Sequence, residues 1–402
     1  MKIVKCVRKF KGVVSTLFLL FYSLVAHSQI QVAAPQVAAT SWLLMDYESG
    51  NVLAASNSDE RMDPASLVKI MTSYVVGQAL HSQSITAQDP VTINPDAWAA
   101  GNPQLRGSSL MFLEPGSQVR VDDLNKGMVV QSGNDACIAL ADFIAGGQAG
   151  FVQMMNDYAS KLGLADTQFK TVHGLEAPGQ FSTARDLASL SRALIHDVPD
   201  EYALYKQREF TYKGIRQYNR NRLLWNTGLE VDGLKTGNAK ASGFGLVSSA
   251  VVEGRRLIAV VLGATNDRTR FQASEKLLKW GARTFERRVV ITPDQVFARK
   301  RVWSGNVATV SLNAGDQGAV VVPSGLGDAL QATAILNQPV LRAPLAKGQV
   351  VGVIDFQRGG ESIAQAPLVV MESVEEGGLL RRAWDFLVLK LLQLCGLCVS
   401  CA

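Results

Sequence analysis

Three short motifs along this chain contain residue types that could carry out acyl transfer. They are Ser66-Leu67-Val68-Lys69, Ser132-Gly133-Asn134 and Lys235-Thr236-Gly237. A serine hydroxyl is a weak nucleophile at neutral pH and needs a base within hydrogen-bond reach. Lys69 could be that base, because a spacing of three residues places it on the same helical face as Ser66. The first motif therefore predicts a serine nucleophile with a lysine as its base.

The residues around Ser66 predict the element that positions it. Asp63 and Pro64 are typical of a helix start, with Asp63 as N-cap and Pro64 in the first helical position. The neighbours of Lys69 are apolar, and burial among them would lower the pKa of its amine and let it accept a proton. These neighbours are Leu67, Val68, Ile70 and Met71.

Only the combination of the three motifs is specific. A Ser-x-x-Lys tetrad arises by chance in a chain of this size, Ser-Gly-Asn is a common turn composition, and Lys-Thr-Gly is often a strand end. All three in this order are the set found in penicillin-binding proteins and serine β-lactamases.

The residues that flank the three motifs extend the match and restrict it to one group of these proteins. They are Met62-Asp63-Pro64-Ala65, Asp135-Ala136-Cys137, Thr171-Val172-His173-Gly174-Leu175, Asn219-Arg220-Asn221 and Val231-Asp232-Gly233-Leu234. On these residues the chain, from about residue 38 to its C-terminus, resembles serine-type D-alanyl-D-alanine carboxypeptidases of the peptidase S11 type. The resemblance implies a low-molecular-mass penicillin-binding protein that trims peptidoglycan pentapeptides and is acylated by β-lactam antibiotics.

The resemblance also implies a role for each motif residue. Ser66 would attack the carbonyl between the last two D-alanines and form an acyl-enzyme, while Lys69 would take the hydroxyl proton. Ser132 would bridge Lys69 and Lys235 and help to pass a proton to the leaving D-alanine. Asn134 would hold a backbone amide of the substrate, and Lys235 would place positive charge beside the nucleophile and the bound carboxylate.

Further predicted residues bind the substrate. The resemblance places the oxyanion hole at the backbone N–H groups of the nucleophile and of Asn238, which follows Thr236 and Gly237 of the third motif. The substrate ends in a free carboxylate, which needs a cation or hydroxyl donors. Thr236 and Arg270 are the candidates, and Arg268, two residues away, is left open as an alternative to Arg270.

The N-terminal residues predict export. Residues 1–28 have the pattern of a secretory signal peptide that ends in the small-x-small site Ala26-His27-Ser28. The leader holds five basic residues and no acidic one, which matches the formal net charge of +5, so the mature chain is balanced. Its charge therefore gives no reason to expect a nucleic-acid partner. The resemblance points to the periplasmic side of a bacterial inner membrane.

Apolar patterning and the resemblance together predict an α+β fold. Strands are predicted at 42–47, 52–55, 244–252 and 257–263, and a largely helical region at roughly 119–196. The resemblance implies a β-lactamase/transpeptidase-like catalytic domain, an antiparallel sheet with a helical subdomain, over residues 36–285. A small β-rich domain is predicted over 286–372, with strands at 302–312, 319–322, 350–356 and 367–371.

The tail, residues 379–402, predicts an amphipathic helix that anchors the protein peripherally at a membrane surface. A helical wheel from 379 to 394 separates a polar half from an apolar half. The polar half holds Arg381, Arg382, Asp385, Lys390 and Gln393, and the apolar half holds Leu380, Ala383, Trp384, Leu387 and Leu391. Its charge-free stretch is shorter than the ~20 residues of a spanning helix. The alternative is a helix that packs into a core.

Histidines and cysteines do not predict a metal or another cofactor. The histidines beyond the leader, His81, His173 and His196, form no His-Glu-x-x-His pair. Cys137 is predicted to be a small buried residue, and the tail cysteines 395, 398 and 401 lack further ligands. Three alternatives stay open: a serine β-lactamase, a Ser-His-Asp mechanism with His173 as base, and a non-catalytic peptidoglycan-binding protein.

Overall fold

The computed structural model describes residues 32–315, 318–327 and 330–394. The predicted leader at 1–28 and the last residues of the predicted tail, 395–402, lie outside the described residues. Hydrophobic clusters organise the described chain: three lie around a five-stranded sheet and its helices, and a fourth lies within β-strands that follow residue 285.

An antiparallel sheet in the strand order β2-β1-β9-β8-β7 forms the centre of the larger unit. Its strands are β1 (Ser41–Asp46), β2 (Val52–Ser56), β7 (Glu230–Ala239), β8 (Gly243–Val252) and β9 (Arg255–Ala264). Every residue of β1 is buried, because helices cover both faces of the sheet. The predicted strands are confirmed within a residue or two, and β7, which carries the Lys-Thr-Gly motif, forms one edge.

Six α-helices lie between β2 and β7, a stretch that the structure describes throughout. They are α1 (Lys69–His81), α2 (Val121–Lys126), α3 (Asn134–Ala145), α4 (Gln148–Lys161), α5 (Ala184–Asp197) and α6 (Pro199–Tyr202). Two short hairpins accompany them: β3 (Pro90–Thr92) with β4 (Gln118–Arg120), and β5 (Glu209–Tyr212) with β6 (Ile215–Tyr218). Helix α1 is buried on nearly every side and therefore runs through the core.

The start of the helix after Asp63 differs from the prediction. Residues 65–68 form a turn of 3₁₀-helix, and α1 begins only at Lys69. Pro64 precedes this turn rather than occupying its first position, although the Asp63 carboxylate does accept a hydrogen bond from the Ala65 N–H at 2.9 Å. Ala65 has a φ of +48°, so the chain enters the turn through a left-handed residue that capping patterns do not predict.

A long helix, α7 (Asp267–Thr284), covers one face of the sheet and leads to the β-rich unit. That unit contains β10 (Phe285–Val289), β11 (Ala298–Trp303), β12 (Thr309–Asn313), β13 (Ala319–Pro323), β14 (Gln331–Leu336), β15 (Leu341–Arg342), β16 (Val350–Arg358) and β17 (Glu361–Val370). The single strand predicted at 302–312 is wrong, because residues 304–308 connect two paired strands, β11 and β12.

The last described element is α8 (Leu379–Leu394), which lies on the β-rich unit. Its buried side chains are Asp385, which accepts a hydrogen bond from the Ser304 N–H at 2.7 Å, and Leu389. Its predicted apolar half faces outward, with Leu380 90% and Trp384 67% exposed. The alternative of a helix whose apolar half packs into a core is therefore wrong.

None of the helices within the described ranges is by itself long and apolar enough to cross a membrane. The pair α3 and α4 meets that test together by length and composition, with a bend of 85° between the two helices.

Candidate active site

The 3₁₀ turn brings the predicted nucleophile and base together at the bottom of a cleft of about 1480 Å³. Ser66 is partly exposed to the cleft, whereas Lys69 is 1% exposed. The Lys69 Nζ atom lies 3.3 Å from Ser66 Oγ. It donates shorter hydrogen bonds to Asn134 Oδ1, at 2.7 Å, and to the backbone oxygen of His173, at 2.5 Å.

These contacts suit a neutral amine. Burial lowers the pKa of Lys69, and the nearby Cys137 and Asp135 only partly oppose this. A neutral amine has two N–H donors and one lone pair. The two donors are satisfied by Asn134 and by the His173 carbonyl, so the lone pair is left for the Ser66 hydroxyl. The arrangement can therefore remove a proton from Ser66 as it attacks.

Ser132 occupies the other wall, between the wide helical turn 127–131 and α3. It adopts a left-handed conformation with a φ of +69°, and its side chain is buried. Its Oγ atom has no hydrogen-bond partner among the residues that the structure describes, so the predicted bridge between Lys69 and Lys235 is not formed. A buried hydroxyl without a partner is costly, and it remains available to a group that enters the cleft.

The edge strand β7 supplies the third motif. Lys235 is 2% exposed, and its pKa lies well below the ordinary value, chiefly because of burial and next because of the positive charge of Lys69. Gly237 packs against the nucleophile turn, where a Cβ atom would lie 2.9 Å from the Pro64 oxygen. Thr236 is buried in the cleft wall, whereas Asn238 is exposed at the rim.

Arg270 reaches the cleft from the first turn of α7. Its guanidinium donates to the backbone oxygens of Gly237, at 2.8 Å, and Gly245, at 3.2 Å, and pairs with Asp267. Arg268 is exposed and does not line the cleft. Of the two arginines left open by the sequence, the structure brings only Arg270 to the predicted carboxylate pocket.

The loop that contains His173 and Gly174 contributes main-chain atoms to the site. Besides the bond from Lys69, the Thr72 hydroxyl donates to the Val172 oxygen at 2.6 Å, which pins the loop to α1. The His173 ring accepts a hydrogen bond from the Leu175 N–H, and burial together with Lys69 lowers its pKa to about 3. A ring with so low a pKa, whose Nδ1 atom already accepts from Leu175, is a poor base at neutral pH, which disfavours the Ser-His-Asp alternative.

Besides Arg270, the cleft is lined by four arginines that are not among the predicted site residues: Arg106, Arg216, Arg220 and Arg222. Arg220 is exposed in the cleft, and its charge helps to lower the pKa of Lys235. Arg222 lies 3.5 Å from Asp267. The Asn219-Arg220-Asn221 segment was itself part of the family resemblance, which was the available signal for Arg220. Both charges make the cleft attractive to an anionic peptide end.

Sequence comparison decides which family this site belongs to. The family model described as D-alanyl-D-alanine carboxypeptidase, Peptidase S11, matches residues 28–266. The chain belongs to the S11 D-alanyl-D-alanine carboxypeptidase family. A second model, the C-terminal domain of penicillin-binding protein 5, matches residues 285–376. The S11 chain is thus a serine hydrolase of the penicillin-binding type, and the sequence resemblance is confirmed.

Relatives and solved structures agree with this assignment. The S11 chain is 60% identical over 362 residues to the D-alanyl-D-alanine carboxypeptidase DacC of Escherichia coli, which covers 90% of both chains. It is 50% identical to DacA of the same organism, over 88% of each. The structure of penicillin binding protein 5 from Haemophilus influenzae has 43% identity and a TM-score of 0.79, and covers 86% of this chain and 100% of its own.

The predicted fold class is confirmed: a transpeptidase-like catalytic domain is followed by an all-β domain and a C-terminal helix. The relatives support the carboxypeptidase over the β-lactamase alternative.

Cys137 is buried, and burial raises the pKa of its thiol to about 11, so it stays protonated. Within the described part of this S11 chain, no group of His, Cys, Asp or Glu side chains is arranged to hold a metal ion.

Proposed function

We propose that this protein removes the terminal D-alanine from peptidoglycan pentapeptides through an acyl-enzyme on Ser66. The observation that carries the proposal is the Lys69 amine, whose two N–H bonds run to Asn134 and His173 and whose remaining position faces Ser66 Oγ at 3.3 Å. Ser66 Oγ bonds to the carbonyl carbon of the penultimate D-alanine while its proton passes to Lys69. The C–N bond then breaks, and water later hydrolyses the ester.

Ser132 is proposed to carry the proton to the leaving amine. Its Oγ is buried and has no hydrogen-bond partner within the described ranges, which supports a role that begins when substrate fills the cleft. Lys235 lies on β7 and, within the described residues, its amine donates only to the Thr236 oxygen, at 3.3 Å. Its remaining donors are therefore free for the carboxylate of the substrate.

The substrate is proposed to lie along β7. Asn134 holds a backbone amide, and the main-chain N–H groups of Ser66 and Asn238 form the oxyanion hole. Thr236 and Gly237 border the carboxylate, with Arg270 behind them. Because Arg270 donates to the Gly237 oxygen and pairs with Asp267, it supports the strand as well as adding positive charge. A β-lactam would enter the same cleft and acylate Ser66 in the place of the peptide.

The chain is proposed to be exported by residues 1–28 and to consist of a catalytic domain, 36–285, a β-rich domain, 286–372, and an amphipathic anchor, 379–402. The outward apolar half of α8 supports an interfacial anchor, since Leu380, Trp384, Leu387 and Leu391 are all exposed. The proposed location is the periplasmic side of the inner membrane, where the β-rich domain spaces the cleft from the lipid surface.

Product analysis tests this function. Purified protein is incubated with a muropeptide pentapeptide, and the expected products are the tetrapeptide and free D-alanine, which Ser66→Ala should not release. A fluorescent penicillin should label the wild type and leave Ser66→Ala unlabelled, a result that also excludes a non-catalytic binding protein. Rapid hydrolysis of the β-lactam with no release of D-alanine would overturn the proposal.

A further inference from the structure

A buried carboxyl group lies against α1, one helical turn beyond Lys69. Glu201, on α6, is 3% exposed and does not line the cleft. It accepts hydrogen bonds from the Ser73 hydroxyl and from the Asn125 side-chain amide. Buried carboxylates are rare unless they are paired, and no cation pairs with this one among the described residues.

The two donors belong to the two helices that carry the catalytic groups. Ser73 lies one turn after Lys69 on the same face of α1. Asn125 lies on α2, which continues through residues 127–131 to Ser132. Glu201 therefore connects α1, which carries Lys69, to the segment that leads to Ser132.

Close packing supports this connection. Gly77 lies one further turn along the same face of α1, and a Cβ atom there would be 3.0 Å from the Cβ of Glu201 and 2.9 Å from that of Val198. The absence of a side chain at Gly77 is what allows α6 to approach α1. The contact is thus built into the backbone and does not depend on one side-chain rotamer.

On this basis, and resting on the proposed function, we propose that Glu201 is a positioning residue for acyl transfer, which fixes Lys69 relative to Ser132 through Ser73 and Asn125. The ionised carboxylate accepts both hydrogen bonds. A protonated carboxyl donates one of them, so either the Ser73 hydroxyl reverses its direction and accepts, or the Asn125 amide turns toward it the Oδ1 atom that has no partner among the described residues. Protonation therefore rearranges the connection.

The surroundings of Glu201 allow this change near neutral pH. Burial raises its pKa to about 7, and the hydrogen bonds from Ser73 and Asn125 oppose the rise. From the following turn, 203–206, the buried phenol of Tyr205 faces it, and burial raises the pKa of this phenol. At the end of α5, Asp197 is bonded to Tyr74 and His196 instead. Lys69 is engaged by Asn134 and His173.

Kinetics of Glu201→Gln test the inference, because glutamine is neutral at every pH and fits the same space. The second-order rate of acylation by a fluorescent penicillin is measured on both sides of pH 7, together with kcat and KM for D-alanine release. Above pH 7 the variant should acylate about tenfold more slowly than wild type, and the two rates should converge below it. Because Glu201 does not line the cleft, kcat should fall while KM stays unchanged.

The matched control is Glu253→Gln, an exposed residue of the β8–β9 turn, which should behave as wild type at every pH. If Glu201→Gln does not fold, Ser73→Ala replaces it in the test. Ser73→Ala should lower the acylation rate several-fold. Two results would overturn this inference without touching the proposed function. One is variants that acylate at the wild-type rate, and the other is a ratio of Glu201→Gln to wild-type acylation rates that does not change with pH. A wild type that forms no penicillin adduct would overturn the proposed function and this inference with it.

Discussion

Lys69 Nζ lies 3.3 Å from Ser66 Oγ, farther than from its two carbonyl-type acceptors, Asn134 Oδ1 and the His173 oxygen. The base is therefore held by its donors, and its lone pair is left for the reacting hydroxyl. Lys235 differs, because its described hydrogen bond is a long one to the Thr236 oxygen. Burial lowers the pKa of both amines, and it is the hydrogen bonds of Lys69 that direct its lone pair toward Ser66.

The first prediction concerns this base. Lys69→Arg keeps the positive charge but cannot lose its proton, so the rate of acylation by a fluorescent penicillin should fall by roughly 10²–10⁴. Because the pKa of Lys69 is lowered by burial, the wild-type rate should rise with pH through a value below that of an ordinary lysine. Lys276→Arg, on the exposed side of α7, is the control. A Lys69→Arg variant with the wild-type rate would show that another group is the base.

The second prediction concerns the loop that holds Lys69. A Cβ atom at Gly174 would lie 2.0 Å from the Ala65 oxygen, and the residue has a φ of +83°. Gly174→Ala should therefore lower the free energy of unfolding by roughly 2–4 kcal/mol and displace the nucleophile turn. Gly179→Ala is a matched control, since it has a φ of +79° and only a Lys170 side-chain atom at 3.5 Å. Its loss should be roughly 1–2 kcal/mol, with an unchanged acylation rate.

Urea denaturation and stopped-flow acylation measure the two effects separately. If both glycine variants lose the same unfolding free energy and the same acylation rate, only the left-handed conformation matters. The contact between Gly174 and Ala65 then does not position Ser66.

Side-chain chemistry and spacing made part of this site predictable. Ser66 and Lys69 are three residues apart, so helical geometry alone brings them together, and alternating apolar residues predicted β8 and β9. The left-handed Ala65 was not predictable, because the preceding Asp-Pro pair is equally compatible with an ordinary helix start. Tertiary packing against Gly174 accounts for the difference.

Contacts that use backbone atoms or distant residues left no signal in the sequence. The backbone carbonyl of His173 accepts a hydrogen bond from Lys69. Every residue has such a carbonyl, so the residue type at position 173 does not indicate this role. Glu201 contacts Ser73 and Asn125, which are far from it in sequence, and nothing in its own neighbourhood distinguishes it from a surface glutamate. Only the packing of α6 on α1 buries it.

The third prediction separates the two arginines of α7. Arg270→Ala removes the ion pair with Asp267 and the hydrogen bond to the Gly237 oxygen, so kcat/KM for D-alanine release should fall about 10–100-fold. Arg268→Ala, at an exposed position, should have no effect. A peptide with a C-terminal amide distinguishes the roles. If Arg270→Ala lowers kcat/KM equally for the amide and the carboxylate substrate, Arg270 supports β7 and contributes no charge to carboxylate binding.

The fourth prediction concerns α8. Trp384→Gln combined with Leu387→Gln removes two exposed apolar side chains from its outward face, and binding to anionic lipid vesicles should weaken by at least about a hundredfold. Ile335→Gln with Val350→Gln, two exposed apolar positions of the β-rich unit, is the control and should bind as wild type. Deletion of 379–402 should give a soluble, active protein. A truncated protein that still sediments with membranes would contradict the anchor.

The fifth prediction follows from the buried carboxyl group. Glu201 has a folded-state pKa of about 7 against an ordinary value of 4.5, so between these values the folded protein binds its proton more tightly than the unfolded chain. Stability must then fall as pH rises across that interval. Relative to Glu201→Gln, which does not titrate, the wild type should lose roughly 3 kcal/mol of unfolding free energy from pH 4.5 to 7. Urea denaturation of both proteins across this interval measures the difference, in which contributions of all other groups cancel. A constant difference would show that Glu201 is ionised throughout, and the acylation rates should then not converge below pH 7.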